Sequence, residues 1–326
     1  MKRIYAETIR PPTASCHAGT LAWHGGTLHI GWFGGPCEGH PDTRIYLRIG
    51  GDVLKVGNPA VRGVGSAGMA AWNPVLVSYG DKLLLFFKVG EFCDRWQTFL
   101  AELGPDHKAP ARARMLEAGY NGPVRSKPLI MGDTLICGSS VETPFRWASY
   151  IELMDNLGGR PVCRRSNDIV MGSGSSGKGL IQPSPWSDTS GRFHALMRSA
   201  TGDGRTWYSS TYDPLKWPAA MPTDIPNPNS GLDTLYFDGK TYVIYNDSTY
   251  RRVKLTIAEL DMSGDLPVLT DNKLLLREDA YGAAPDDGSH MTAEVSYPYA
   301  IMAPDGRADI ICTVGRTELE YCRIEL

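Results

Sequence analysis

Apolar residues along this chain come in short runs, each ended by glycine, proline or aspartate. Between Ser15 and Leu47 the pattern predicts a strand over Ala18–Trp23, a turn at Gly25-Gly26 and a second strand over Thr27–Phe33. A polar loop carrying Glu38, His40 and Asp42 follows, then a third strand over Thr43–Ile49. Strand, tight glycine turn, strand, polar loop, strand is a β-meander, and glycine supplies the positive φ such turns require. The unit recurs. Turn glycines fall at Gly26, Gly80, Gly132, Gly191, Gly239 and Gly306, with spacings of 54, 52, 59, 48 and 67 residues. That is the size of a propeller blade. Third strands are predicted at Trp96–Leu103, Trp147–Met154, Arg205–Thr211, Val253–Leu260 and Leu319–Ile324. The last unit has three predicted strands, and the alternating Lys2–Ile9 segment can supply its fourth. Closing the ring in this way removes two exposed sheet edges.

The expectation is an all-β, six-bladed β-propeller of four-stranded antiparallel blades. It forms a single domain over residues 1–326, with the N-terminal strand pairing with the last blade. A β-sandwich would not repeat six times, and a β-helix would show shorter periods. Helical periodicity is weak throughout. Its best candidate, Ala109–Ala118, carries Pro110 and alternating arginines.

The 326 residues include 33 basic and 36 acidic side chains, a net charge of -3, with no long run of one sign. This balance argues against a nucleic-acid partner or an anionic membrane surface. Seven scattered cysteines, with no CxxC pair and no His/Cys ligand spacing, predict neither a disulfide framework nor a metal site, and no cofactor motif is present. The first residues, MKRIYAETIR, contain no apolar signal core, so a cytoplasmic chain is expected. Gly172–Gly179 reads as a loop between repeats, and oligomeric state is left open.

In a propeller blade, the entry to the innermost strand and the exit of the second share one face near the axis. The entries carry His17, Asn73, Lys127, Gln182, Asn229 and Tyr297. The exits carry Glu38, Asp42, Lys88, Glu91, Glu142, Arg198, Asp247 and Arg316. The opposite face holds only turn residues. Ionisable and amide groups converging on an axis point to a small polar ligand.

The strings SCHA, WFGG, WNP, KP, QP, PNPNSG and SYP at blade boundaries make the chain similar to the Asp-box (BNR) sialidase superfamily, from about Ser15 onward. The Asp box is decayed: Gly202–Trp207 keeps its tail and Met154–Gly158 a fragment. The resemblance implies arginines gripping a substrate carboxylate, a tyrosine nucleophile primed by glutamate, and an acid/base on a loop. Arginine suits the first role because its planar fork meets a carboxylate bidentately and stays charged. A tyrosine nucleophile avoids placing a carboxylate beside the substrate's own anion. On this sequence the implied arginines are Arg198 and Arg252 (Arg251 as the alternative register), and the implied nucleophile is Tyr297. The implied acid/base is Asp42 or Glu38. Asn73, Lys127, Gln182, Asn229, Glu142 and Arg316 are implied substrate contacts.

The sequence departs from that pattern twice. His17 stands where the first arginine is expected, and Gln182 stands where the priming glutamate is expected, leaving Glu142 or Glu294 as bases. The expected activity is an exo-glycoside hydrolase that releases a terminal acidic sugar from a glycan. The alternatives are a polysaccharide lyase using His17 and Tyr297 as base and acid, or a non-catalytic carbohydrate-binding propeller. Each residue also has a plainer reading: Tyr297 as core beside Tyr299, His17 as a structural histidine, and most tryptophans as blade packing.

Overall fold

The computed structural model describes residues 1–56, 68–104, 110–172, 177–279 and 294–326. All regular structure among them is β-strand. The first strand, β1 (Lys2–Ile9), precedes blade one, which comprises β2 (Ser15–His24), β3 (Thr27–Gly35), β4 (Arg44–Ile49) and β5 (Asp52–Val56). Blade two is β6 (Ala70–Tyr79), β7 (Lys82–Gly90), β8 (Gln97–Leu103) and β9 (Pro110–Met115); blade three is β10 (Leu129–Met131), β11 (Thr134–Glu142), β12 (Trp147–Asp155) and β13 (Val162–Arg165). Blade four is β14 (Leu180–Ser187), β15 (Phe193–Ser199), β16 (Arg205–Thr211) and β17 (Met221–Pro226). Blade five is β18 (Asp233–Phe237), β19 (Lys240–Asn246), β20 (Lys254–Asp261) and β21 (Val268–Glu278). Blade six is β22 (Val295–Met302), β23 (Ala308–Val314) and β24 (Glu318–Glu325), completed by β1.

These are six four-stranded antiparallel sheets in the expected order, a six-bladed propeller. The ring closes as predicted: β1 pairs with β24 from Lys2↔Glu325 to Ile9↔Leu319. That pairing joins the two ends of the chain, and Arg48 of blade one reaches Glu7 on the closing strand at 2.8 Å, bracing blade one against blade six. The segment that came nearest to helical periodicity contains β9. Of the loop expected at Gly172–Gly179, residues 173–176 lie outside the described residues.

Blades pack on one another through their apolar faces. Trp32, Val75, Phe86, Leu135, Tyr299 and Ile311, from blades one, two, three and six, belong to one buried cluster. Burying a side chain of this size contributes roughly 1.5–3 kcal/mol, so the ring is held mainly by these contacts. The decayed Asp box in blade four keeps its structural role. Asp203 accepts from Trp207 Nε1 at 3.0 Å and Ser199 Oγ at 3.0 Å, pinning the β15–β16 turn. The axis itself is closed by polar bridges. Asp233 of blade five meets Lys127 of blade three at 3.0 Å, accepts from Ser184 of blade four at 2.7 Å and from the Ala300 amide of blade six at 2.8 Å. The centre is therefore a pocket with a floor, not an open channel.

Candidate functional site

The inner strands of four blades share a local irregularity that decides what faces the pocket. Registers break between His17 and Thr20, Trp72 and Val75, Ile181 and Ser184, and Ser296 and Tyr299. Inside these bulges sit Ala18, Asn73, Gln182 and Tyr297, with φ of 53°, 36°, 54° and 54°. Left-handed backbone at a non-glycine residue costs about 1–3 kcal/mol and clusters at ligand sites. Three of the four precede a proline, which ordinarily favours extended backbone. The register also corrects the sequence alignment: Ala18, not His17, is the equivalent of Gln182 and Tyr297, and His17 sits one residue earlier.

Tyr297 is the hub. Guanidinium carbons of Arg125, Arg198 and Arg252 stand 5.0, 5.4 and 5.7 Å from its ring centroid. The His17 ring lies against it at 4.1 Å. Three cations on one aromatic ring, drawn from blades three, four and five, form a strongly positive pocket. Arg252 donates to Glu294 at 3.1 Å and to the Asn229 carbonyl at 2.6 Å; Arg198 donates to the same carbonyl at 3.3 Å. Arg316 bridges Glu294 at 2.8 Å and also donates to Glu38. Burial works against the Glu294 carboxylate, but the Arg316 and Arg252 guanidinium groups outweigh it and hold its pKa at about 2. Burial likewise pulls His17 well below the usual histidine range, with Arg316, Arg252 and Arg125 pushing the same way against Glu294. The imidazole is thus neutral and cannot replace a missing guanidinium. Its Nδ1 meets Thr313 Oγ1 at 3.0 Å, while Nε2 has no partner.

Five of the unpartnered buried side-chain atoms among the described residues lie here, while others are spread through the blades. The five are His17 Nε2, Gln182 Oε1, Asn229 Oδ1, Arg198 Nε and Arg125 Nε. Buried polar atoms are normally paired, so several together mark capacity reserved for a ligand. Glu142, whose carboxyl burial pushes up against the pull of Arg198, borders the same group. Among the described residues no three His, Cys, Asp or Glu side chains cluster as metal ligands would.

Of the residues singled out from sequence, the pocket brings together Tyr297, His17, Arg198, Arg252, Gln182, Asn229, Arg316, Glu38 and Glu142. Four are placed elsewhere. Lys127 is committed to Asp233 and the Thr234 carbonyl in the floor. Asp42 lies at the rim with its side chain 74% exposed, facing Arg44 at 4.0 Å and His40 at 3.7 Å. Glu38 lies nearer the pocket, where Arg316 engages it. Arg251 projects outward beside Tyr250, and Arg252 takes the inward register. Asn73 is buried in its bulge in blade two. Glu294, considered above as a base, is fully engaged as an anion between two arginines.

Sequence reasoning missed Arg125. Its terminal nitrogens donate to the Leu232 and Pro298 carbonyls, and it is 3% exposed. It thereby fixes the backbone immediately after the left-handed Tyr297. The signal was the string Arg125-Ser126-Lys127-Pro128, in which the lysine was taken for the inward cation.

The model of the BNR repeat-like domain matches residues 26–310. The chain belongs to the BNR repeat-like family. No curated protein matches its sequence. Among solved structures it is similar to a protein of unknown function from Dyadobacter fermentans, with TM-score 0.75 and 11% identity over 100% of this chain and 99% of that one. It is similar to Trypanosoma rangeli sialidase in complex with sialic acid, with TM-score 0.66 and 10% identity over 99% of this chain but 57% of that one. It is also similar to Penicillium chrysogenum alpha-L-arabinanase in complex with arabinobiose, with TM-score 0.66 and 12% identity over 100% and 99% of the two chains. At these identities the likeness is one of fold, and the fold is one that glycosidases use.

Proposed function

We propose that this BNR-family propeller is an enzyme that removes a terminal carboxylate-bearing sugar from a glycan in the axial pocket. The observation that carries the reading is the convergence of Arg125, Arg198 and Arg252 on the Tyr297 ring, beside buried polar atoms that lack partners. Arg198 and Arg252 bind the carboxylate. Arg125 positions Tyr297, and Arg316 with Glu294 holds Arg252 in place. The sialidase and arabinanase likenesses support a glycoside-cleaving chemistry on this fold.

In the hydrolytic reading, Tyr297 attacks the anomeric carbon as the bond to the aglycone oxygen breaks, the phenolic proton passes through a base to that departing oxygen, and water then releases the sugar and restores the phenol. Gln182 cannot accept a proton, whereas the neutral His17 with its open Nε2 can. A second reading, β-elimination on a uronate, is favoured by the same observation. His17 takes the proton α to the carboxylate, the arginines stabilise the resulting charge, and Tyr297 protonates the departing oxygen. Incubating the folded protein with a panel of sialosides, uronosides and Kdo glycosides tests the activity. Free acidic sugar without new absorbance supports hydrolysis, while an unsaturated product absorbing in the near ultraviolet supports elimination. No turnover on any acidic glycoside overturns the enzyme reading.

A further inference from the structure

His17 enters the axial pocket from blade one, and its ring is held on three sides. It lies against the Tyr297 ring at 4.1 Å and edge-on to Phe33 at 5.7 Å and 83°. On the third side its Nδ1 meets Thr313 Oγ1 at 3.0 Å. Thr313 stands on β23 opposite Ser296, so this contact crosses the seam between blades six and one. Both residues are buried, and Thr313 has no exposed surface at all. A β-branched threonine has few rotamers, which fixes where its oxygen sits.

A neutral imidazole carries its proton on one of two nitrogens, and the partner of one nitrogen sets the state of the other. If Thr313 donates to Nδ1, the proton sits on Nε2 and the ring is no base. If Thr313 accepts from Nδ1–H, Nε2 keeps its lone pair. Two features select the second arrangement. Arg316, Arg252 and Arg125 all act on the imidazole as cations, the last two converging on the Tyr297 ring against which it lies. The N–H is the positive end of the ring dipole. Such a field favours a proton at Nδ1, where a hydroxyl oxygen accepts it, over a bare N–H among guanidinium groups. Glu294, the anion that acts on the ring, is already engaged. Its Oε1 accepts from Arg252 at 3.1 Å and from Ser296 Oγ, and its Oε2 accepts from Arg316 at 2.8 Å. Nε2 has no hydrogen bond to it or to any other described group.

We infer that Thr313 is a positioning residue: its Oγ1 accepts the Nδ1 proton of His17 and leaves the Nε2 lone pair free to act as the base beside Tyr297. In the hydrolytic step Nε2 gains the phenolic proton and hands it to the departing oxygen, while Nδ1 keeps its own proton throughout. The bond to Thr313 therefore persists in both protonation states and holds the ring in place. The inference rests on the reading of His17 as the base of the axial pocket.

The tautomer can be read without substrate, by nitrogen NMR of protein labelled in its seven histidines. His17→Gln, or His17→Asn where the first does not fold, assigns the His17 signals by their loss. Wild type at neutral pH is expected to show a protonated Nδ1 and a bare Nε2; a protonated Nε2 overturns the inference. Thr313→Val keeps the shape and removes the acceptor. It is expected to move the proton toward Nε2 and to lower kcat on an acidic glycoside about tenfold with KM little changed, the scale of one hydrogen bond. Thr313→Ser, which keeps the hydroxyl, should recover the wild-type tautomer and most of kcat. The wild-type tautomer persisting in Thr313→Val, or a loss confined to KM, overturns the role. Where Thr313→Val does not fold, Thr313→Ala gives the same readouts. If no acidic glycoside is turned over, the enzyme reading fails by itself, and the tautomers of wild type and Thr313→Val alone decide whether Thr313 sets the state of His17.

Discussion

Two buried polar clusters lie on the same face of this disc, and they are built to opposite rules. In the first, Lys88 donates to the Asn121 carbonyl and, at 3.0 Å, to the Pro123 carbonyl. Glu152 accepts from the Asn121 amide at 3.1 Å and the Gly122 amide at 2.6 Å. Asn121 Nδ2 bonds the Ser140 carbonyl at 3.1 Å and Tyr150 at 2.8 Å. No side-chain polar atom of Lys88, Asn121 or Glu152 is left over. In the second, around Tyr297, five buried atoms on five residues have no partner. A satisfied network is scaffold, and this one holds the segment leading to Arg125. The less satisfied one is the candidate site, because missing hydrogen bonds are cheapest to tolerate where a ligand or water completes them.

This contrast can be broken at either end. The largest effect is expected at the scaffold. Glu152→Gln leaves Lys88, which burial already pulls down to about 7, without its counter-charge. Losing a buried carboxylate that accepts two backbone amides costs about 3 kcal/mol, to be read as a fall in the urea midpoint. Next is Glu294, the anion of the Tyr297 cluster, held by Arg252 and Arg316. Its folded pKa of about 2 lies below the ordinary glutamate value of 4.5, so its stabilisation is present above pH 4.5 and disappears as pH falls through 2. The stability difference between wild type and Glu294→Gln should therefore shrink by about 3 kcal/mol over that window. At the site, Arg252→Gln should lower kcat/KM on an acidic glycoside about a hundredfold, with a fall in the urea midpoint smaller than that of Glu294→Gln because Arg316 still holds Glu294. The smallest effect concerns His17. Because burial and the neighbouring arginines keep it neutral, the pH profile of kcat/KM should show no inflection near 6.5.

The ring was legible in the sequence because turn glycines recur where only positive φ closes the hairpin, and apolar runs fill the space between them. The face of the disc was legible for the same reason: six turns at one end place the chemistry at the other. The finer register was not. Bulges at Ala18, Asn73, Gln182 and Tyr297 displace each inner strand by a residue, so counting back from the turn put His17 level with Gln182. Blade three defeated counting altogether. Its inner strand is only Leu129–Met131, and the irregular chain before it brings Arg125 inward while Lys127 serves the floor. Asp42 has the residue type that the family resemblance implies for an acid/base, but alternation says nothing about where a loop side chain points. Glu294 was legible as a carboxylate next to Ser296-Tyr297-Pro298. Its partners, Arg252 and Arg316, come from other parts of the chain.

The central claim is that the Tyr297 cluster receives a carboxylate, and binding tests it more directly than turnover does. The affinity of wild type for sialic or glucuronic acid should be compared with that for the methyl ester of the same sugar. The account predicts a preference for the free acid of about a hundredfold, abolished in Arg252→Gln. Equal affinity for acid and ester, or a preference that survives loss of Arg252, would contradict it.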